Sequence, residues 1–406
     1  MAVGEGKLPP LYPVNGFRLG TTSAGIKTQG RQDLVLMEIA EGASVAGVFT
    51  RNAFCAAPVQ QAKKHLTAAT PRYFIVNTGN ANAGTGEQGL QDSQATCEAV
   101  AAQASVSGDQ VLPFSTGVIG EPLPIDKIIA ALPAAQTALD SDGWEQAASG
   151  IMTTDTRPKA ASVQIDLLGE TVTITGIAKG AGMIKPNMAT MLAYVATDAA
   201  IDQSLLQLMI NQAVNQSFNR ITVDGDTSTN DACMLVATGQ ASAERISDQQ
   251  HPFYQALQDA ITTVFIELAQ GLVRDGEGAN KFVTVAVSGG QSEEECLKVA
   301  YTVAESPLVK TALFASDPNW GRLLAAIGRA GIDTMDVDRV SVHLNDVLIA
   351  ENGCRAASYT EEQGSAAMEP EEIVIAIDLD RGDKTATVWT SDLSHDYVRI
   401  NAEYRT

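Results

Sequence analysis

Aromatic side chains are scarce in this 406-residue chain: Phe, Trp and Tyr make up 5% of it, although 45% is hydrophobic. A core of that composition is built mainly from Ala, Val, Ile and Leu. Cysteines are few and scattered. The five (Cys55, Cys97, Cys233, Cys296, Cys354) include no C-x-x-C pair, and an odd number does not complete a disulfide framework. Buried, reduced thiols are the expected state. The four histidines (His65, His251, His343, His395) stand apart from one another, which gives little basis for a Ser-His-Asp triad or a zinc site. Bases are outnumbered: 27 Lys and Arg against 48 Asp and Glu leave a formal charge of −21. That balance argues against nucleic acid and anionic membranes as partners, since their binders carry basic patches. No stretch approaches the roughly 18 apolar residues of a membrane span. The start, MAVGEGKLPPLYP, has no apolar run of signal-peptide type. The expectation is a soluble, cytoplasmic protein.

Cofactor signatures are missing as well. GNANAGTGEQG (Gly79–Gly89) is glycine-rich but lacks the lysine and the order of a Walker loop, and no G-x-G-x-x-G follows a strand. DGDTSTND (Asp224–Asp231) holds three aspartates without the spacing or closing Glu of an EF-hand, so it reads as a hydrogen-bonded turn. Neither a cofactor nor a metal is expected.

What is present is an interleaved pattern of strands and helices. Leu34–Ile39, Val45–Phe49, Tyr73–Val76, Val163–Leu167, Val172–Ile177, Leu192–Val195, Phe282–Val287, Val340–Leu344, Ile373–Leu379 and Thr385–Trp389 read as strands, many alternating apolar and polar residues. Leu205, Leu206, Met209, Ile210, Ala213 and Val214 recur at helical spacing behind Asp202, a candidate cap. Gln91–Ala104, Pro124–Leu139 and Phe253–Val273 are further helices. The elements lack strict βαβ regularity, which predicts a layered α/β sandwich of mixed, largely antiparallel sheets.

The most informative segment is KGAGMIKPNMATMLAY, Lys179 to Tyr194. A loop rich in small residues delivers Thr190 to the start of an apolar, β-like run. If the Ala189–Thr190 bond breaks, Thr190 becomes a terminus carrying a hydroxyl and its own α-amine. Such an amine has a reference pKa of roughly 7.7–8.0, so it can accept the hydroxyl proton near neutral pH. Thr with a terminal amine is a recognised nucleophile–base pair. The hydroxyl itself could make the cut, by shifting the preceding acyl group from N to O for water to release.

KGAGMIKPNMATML closely resembles the processing motif of the ornithine acetyltransferase family, the bifunctional proteins of arginine biosynthesis. NTGNANAGTGEQG, STGVIGEPLP, IMTTDTRPK, DGDTSTND, RDGEGANKF, SDPNWGR and the terminal INAEYRT resemble that family's segments in its order, over essentially the whole chain. The resemblance implies an N-terminal-nucleophile precursor that cuts itself into an α chain, 1–189, and a β chain, 190–406, which stay together as α2β2. It implies that Thr190 takes acetyl from N-acetyl-ornithine and passes it to glutamate. Some members also use acetyl-CoA as donor, and no CoA-specific motif here decides that point.

Residue by residue, the resemblance makes Thr190 the nucleophile and Thr116 and Gly117 the oxyanion hole. It makes Thr153, Lys179, Thr190, Glu277, Asn401 and Thr406 the substrate contacts, with Thr154 as the neighbouring alternative to Thr153. The residue types suit those tasks. A glycine lets an N–H approach a developing oxyanion, a hydroxyl adds a second donor, and an ammonium matches the α-carboxylate that every amino-acid substrate carries. Glu277 could receive the δ-amine of ornithine or organise the terminal amine. A self-processing amidohydrolase or aminopeptidase, in which water takes the acyl group from the same threonine, is the alternative reading.

Overall fold

All ten runs read as strands form strands, and they sort into three sheets. The computed structural model describes residues 2–185 and 191–403. These divide into two compact units, Lys7–Asn219 with Asp226–Leu272, and Met1–Gly6 with Arg220–Gly225 and Val273–Thr406.

In chain order the first part runs β1 (Phe17–Thr22), β2 (Leu34–Ile39), β3 (Ser44–Phe49), α1 (Ala57–Ala68), β4 (Tyr73–Asn80), α2 (Gly86–Ala104), β5 (Val111–Val118), α3 (Ile125–Thr137), α4 (Trp144–Gly150), β6 (Lys159–Leu167), β7 (Glu170–Lys179) and β8 (Leu192–Thr197). There follow α5 (Gln203–Gln216), the short β9 (Ile221–Thr222), β10 (Ala232–Ala237) and α6 (Tyr254–Arg274). The larger unit holds a four-stranded sheet, β1-β2-β4-β5, and a five-stranded sheet, β3-β10-β8-β7-β6.

One hydrophobic cluster joins the facing sides of these sheets, with Phe17, Met37, Phe74 and Phe114 from the first and Ile177, Tyr194 and Met234 from the second. Phe74 and Phe114 meet edge-on at 5.5 Å, and Phe114 meets Tyr194 edge-on at 5.2 Å, the arrangement ring quadrupoles favour. On the outer side of the first sheet, Cys97 and Val100 of α2 and Ile128 and Leu132 of α3 cover Leu34, Leu36 and Ile75. Against the second, α5 donates Gln203 Nε2 to the Val45 carbonyl at 2.7 Å, and Leu268 of α6 packs over Gly176. The result is the layered sandwich expected, with most strand pairs antiparallel and β4–β5 and β8–β10 parallel.

The smaller unit adds β11 (Phe282–Gly290), α7 (Glu293–Ala304), α8 (Pro307–Phe314), α9 (Trp320–Gly328), β12 (Ser341–Leu344), β13 (Val347–Glu351), β14 (Cys354–Arg355), α10 (Glu361–Met368), β15 (Glu372–Asp378), β16 (Lys384–Ser391) and α11 (His395–Ala402). Its seven-stranded sheet runs β14-β13-β12-β15-β11-β16-β9. SDPNWGR opens α9, where the Asn319 side chain accepts from the Arg322 N–H at 3.1 Å, as a good N-cap does. All five cysteines are free thiols, but only Cys97, Cys233 and Cys296 are buried. Cys55 is half-buried and Cys354 exposed. Among the described residues no helix is long and apolar enough to cross a membrane.

Lys310 is a buried cation in this unit, donating to Thr390 Oγ1 at 3.0 Å and to the Ser391 carbonyl. Burial pulls its ammonium down to about 8, against the opposing fields of Asp392, Asp224 and Glu305. The unfolded value is higher, roughly 10.4, so between the two the unfolded chain binds more protons and stability rises with pH. The unfolding free energy of the wild type minus that of Lys310→Met should therefore increase between about pH 8 and pH 10 in chemical denaturation. A flat difference would refute the shift.

Candidate active site

The STG segment is the end of a strand. In β5 the residues Ser115, Thr116 and Gly117 pair with Asn77, Thr78 and Gly79 of β4, and the register breaks just beyond, at Asn80. Gly117 has φ +134°, and a Cβ there would lie 2.3 Å from the Gly79 carbonyl carbon. No side chain fits against the β4 backbone there, so the close approach of the two strands requires glycine. Thr116 is almost fully buried beside it.

The last residue of β7, Lys179, reaches this strand. Its Nζ donates to Thr116 Oγ1 at 2.9 Å and to Thr153 Oγ1 at 3.2 Å. Because the Thr116 oxygen accepts from the ammonium, its single O–H proton remains to be donated elsewhere. Of the adjacent pair Thr153 and Thr154, it is Thr153 that meets Lys179.

A residue that sequence reading passed over organises this corner. Asp155 is wholly buried; its Oδ1 accepts the Gly180 N–H at 2.8 Å and pairs with Lys159, while Oδ2 accepts the Thr153 N–H at 2.9 Å. Burial alone would raise this carboxyl; the Lys159 and Lys179 ammoniums and the Thr153 N–H outweigh it and hold it below the ordinary range. Asp155 thus fixes Thr153 and the residue after Lys179 at once. The only signal in the sequence was the charged D-T-R-P-K run, which resembles any solvated turn.

In the smaller unit, Glu277 is buried in the loop after α6, and Asn401 of α11 donates to its Oε2 at 2.8 Å. Gly278, with φ +71°, permits the contact: a Cβ there would lie 2.6 Å from Ser394 Oγ and from the Tyr397 nitrogen. Ala189, Thr190 and Thr406 lie outside the described residues. The structure therefore brings together Thr116, Gly117, Thr153 and Lys179 in one unit and Glu277 with Asn401 in the other. Among the described residues no group of three or more His, Cys, Asp or Glu side chains could hold a metal.

Residues 18–406 match the ArgJ family. The chain belongs to that family. Over its full length it is 62% identical to the arginine biosynthesis bifunctional protein ArgJ of Pseudomonas syringae pv. tomato and 60% identical to that of Pseudomonas fluorescens, covering 100% of each relative. It is also similar to the crystal structure of the ArgJ protein of Bacillus halodurans, at 37% identity over 50% of this chain and 95% of that one, with a TM-score of 0.49. It is an ArgJ-type acetyltransferase of arginine biosynthesis, as the motifs implied.

Removing one partner of a buried ion pair leaves the other charge uncompensated, at a cost of roughly 3–5 kcal/mol. Asp155→Asn should show a loss of that order in chemical denaturation; a midpoint equal to wild type would remove Asp155 from this role.

Proposed function

We propose that this ArgJ-family chain cleaves itself before Thr190 and moves acetyl from N-acetyl-ornithine to glutamate through an acetyl-Thr190 ester. Family membership over residues 18–406, with Lys179 drawn onto both Thr116 and Thr153, carries this reading. The Thr190 amine takes the hydroxyl proton as Oγ attacks the acetyl carbonyl. The resulting oxyanion is received by the Gly117 N–H and the Thr116 O–H. The C–N bond then breaks, ornithine leaves with the proton, and the ester remains. The glutamate amine attacks that ester, and the threonine hydroxyl is restored as N-acetylglutamate departs. Lys179 faces the substrate carboxylate. For Glu277, Asn401 and Thr406 the support is the resemblance, together with the hydrogen bond between the first two. In this reading acetyl-CoA is a second donor, in keeping with relatives that are bifunctional proteins of arginine biosynthesis.

The 189/190 boundary falls inside the larger unit. Strands on both sides of it share the five-stranded sheet, with β7 paired to β8 and β3 paired to β10. A cut there leaves α and β chains held by main-chain hydrogen bonds, which supports a stable pair of fragments and, with the family, an α2β2 enzyme of the cytoplasm.

Wild-type protein on a denaturing gel should give two chains in place of one at 42.7 kDa. Thr190→Ala should give one chain, and Thr190→Ser should still cleave. Cleavage in Thr190→Ala would defeat the scheme. With the mature enzyme, Thr116→Ala should lower turnover by roughly 10²–10³-fold, the usual loss for one oxyanion donor; unchanged turnover would take Thr116 out of that role. Transfer to water as fast as to glutamate would favour the hydrolase reading.

A further inference from the structure

The DGDTSTND segment does more than turn the chain. Its last residues reach two strands that the proposed chemistry needs in register. Asn230, nearly buried, donates from Nδ2 to the Ser115 carbonyl at 2.8 Å and to the Ala81 carbonyl at 2.6 Å. Ser115 immediately precedes Thr116. The next residue, Asp231, is 2% exposed and lies beside the start of β8: the Ala232 N–H donates to the Met191 carbonyl at 3.0 Å, and the Asp231 carboxyl accepts the Met191 N–H. Met191 immediately follows Thr190. The same end of the loop is secured further, since the Asp231 carbonyl accepts the Thr50 N–H at 3.0 Å and Thr50 Oγ1 donates to the Ser228 carbonyl at 2.8 Å.

We propose that Asn230 and Asp231 are positioning residues that set the spacing between the nucleophile strand and the oxyanion strand. Two adjacent residues, one bonded on each side, form a link whose length cannot drift without breaking a buried hydrogen bond. Neither residue need touch substrate. Their effect falls on the alignment of Thr190 with Thr116 and Gly117, and a misplacement of about 1 Å can cost on the order of 10²-fold in rate. Burial pushes the Asp231 carboxyl well above the usual range, against the opposing pulls of Ser228, Lys179 and Met191. Asparagine matches this side chain in shape and keeps an oxygen to accept the Met191 N–H, which makes it the conservative substitute. The inference rests on the reading of Thr190 as nucleophile.

The experiment first labels wild-type enzyme with N-acetyl-ornithine and locates the acetyl group. Label on a residue other than Thr190 defeats the nucleophile assignment, and this inference with it. With Thr190 labelled, Asn230→Ala, Asp231→Ala and Asp231→Asn are followed for self-cleavage by intact mass and for kcat and KM per cleaved chain. Asn230→Ala and Asp231→Ala should each slow cleavage and lower kcat by about 10²-fold, leaving KM for N-acetyl-ornithine within about twofold. Asp231→Asn should recover most of the loss. Thr116→Ala combined with Asn230→Ala should be no slower than the worse single variant, because both act on one alignment. Wild-type cleavage and kcat in Asn230→Ala, a rise in KM with kcat unmoved, or additive losses in the double variant would overturn the proposal. Should Asp231→Ala fail to fold, the Asn230 and Thr116 pair carries the test alone.

Discussion

The corner where β7 ends depends on one buried ammonium. Lys179 lies at the tip of its strand and is almost out of water, yet it is surrounded by oxygens: two threonine hydroxyls at hydrogen-bond distance and the Asp155 carboxylate in its field. An isolated cation in such a place would be costly. Here the Asp155 carboxylate opposes both Lys159 and Lys179, and it also ties down the backbone at Thr153 and Gly180. Strand end, threonine loop and oxyanion strand are therefore coupled electrostatically. The arrangement explains how a strongly acidic protein keeps a buried ammonium at this strand end, where the proposed function needs a cation.

Most of the architecture was legible in periodicity. The ten strands read from alternation or apolar runs are present, most of them extended where pairing continues past the pattern, while Val340 and Leu379 fall just outside theirs. Of the strands that escaped, three have specific causes. β5, VLPFSTGV, contains Pro113 and Gly117, local turn signals that pairing with β4 overrides. β10 is a short, unbroken apolar run that carries no alternation. In β1, Gly20 weakens the pattern, yet a Cβ there would lie 2.1 Å from the Ala135 carbonyl oxygen, so packing against α3 demands it.

The site was legible through family motifs rather than through physics. Among the residues so named, Lys179 meets Thr116 and Thr153, and Asn401 meets Glu277. What sequence alone did not disclose is the support. Asp155 and Lys159 look like an exposed charge pair, and Asn230 and Asp231 look like turn residues. Their weight lies in burial and in partners far away along the chain, neither of which spacing reveals.

The strand order of the five-stranded sheet also constrains how the molecule is made on the ribosome. In that sheet β3 has a single neighbour, β10, with Phe49 opposite Ala232. Emerging early, β3 must wait as an unsatisfied edge until a segment from far downstream has been synthesised. Such non-local pairing slows folding. The outer strand of this sheet is made first and its neighbour last, so the sheet closes only when β10 arrives, late in translation.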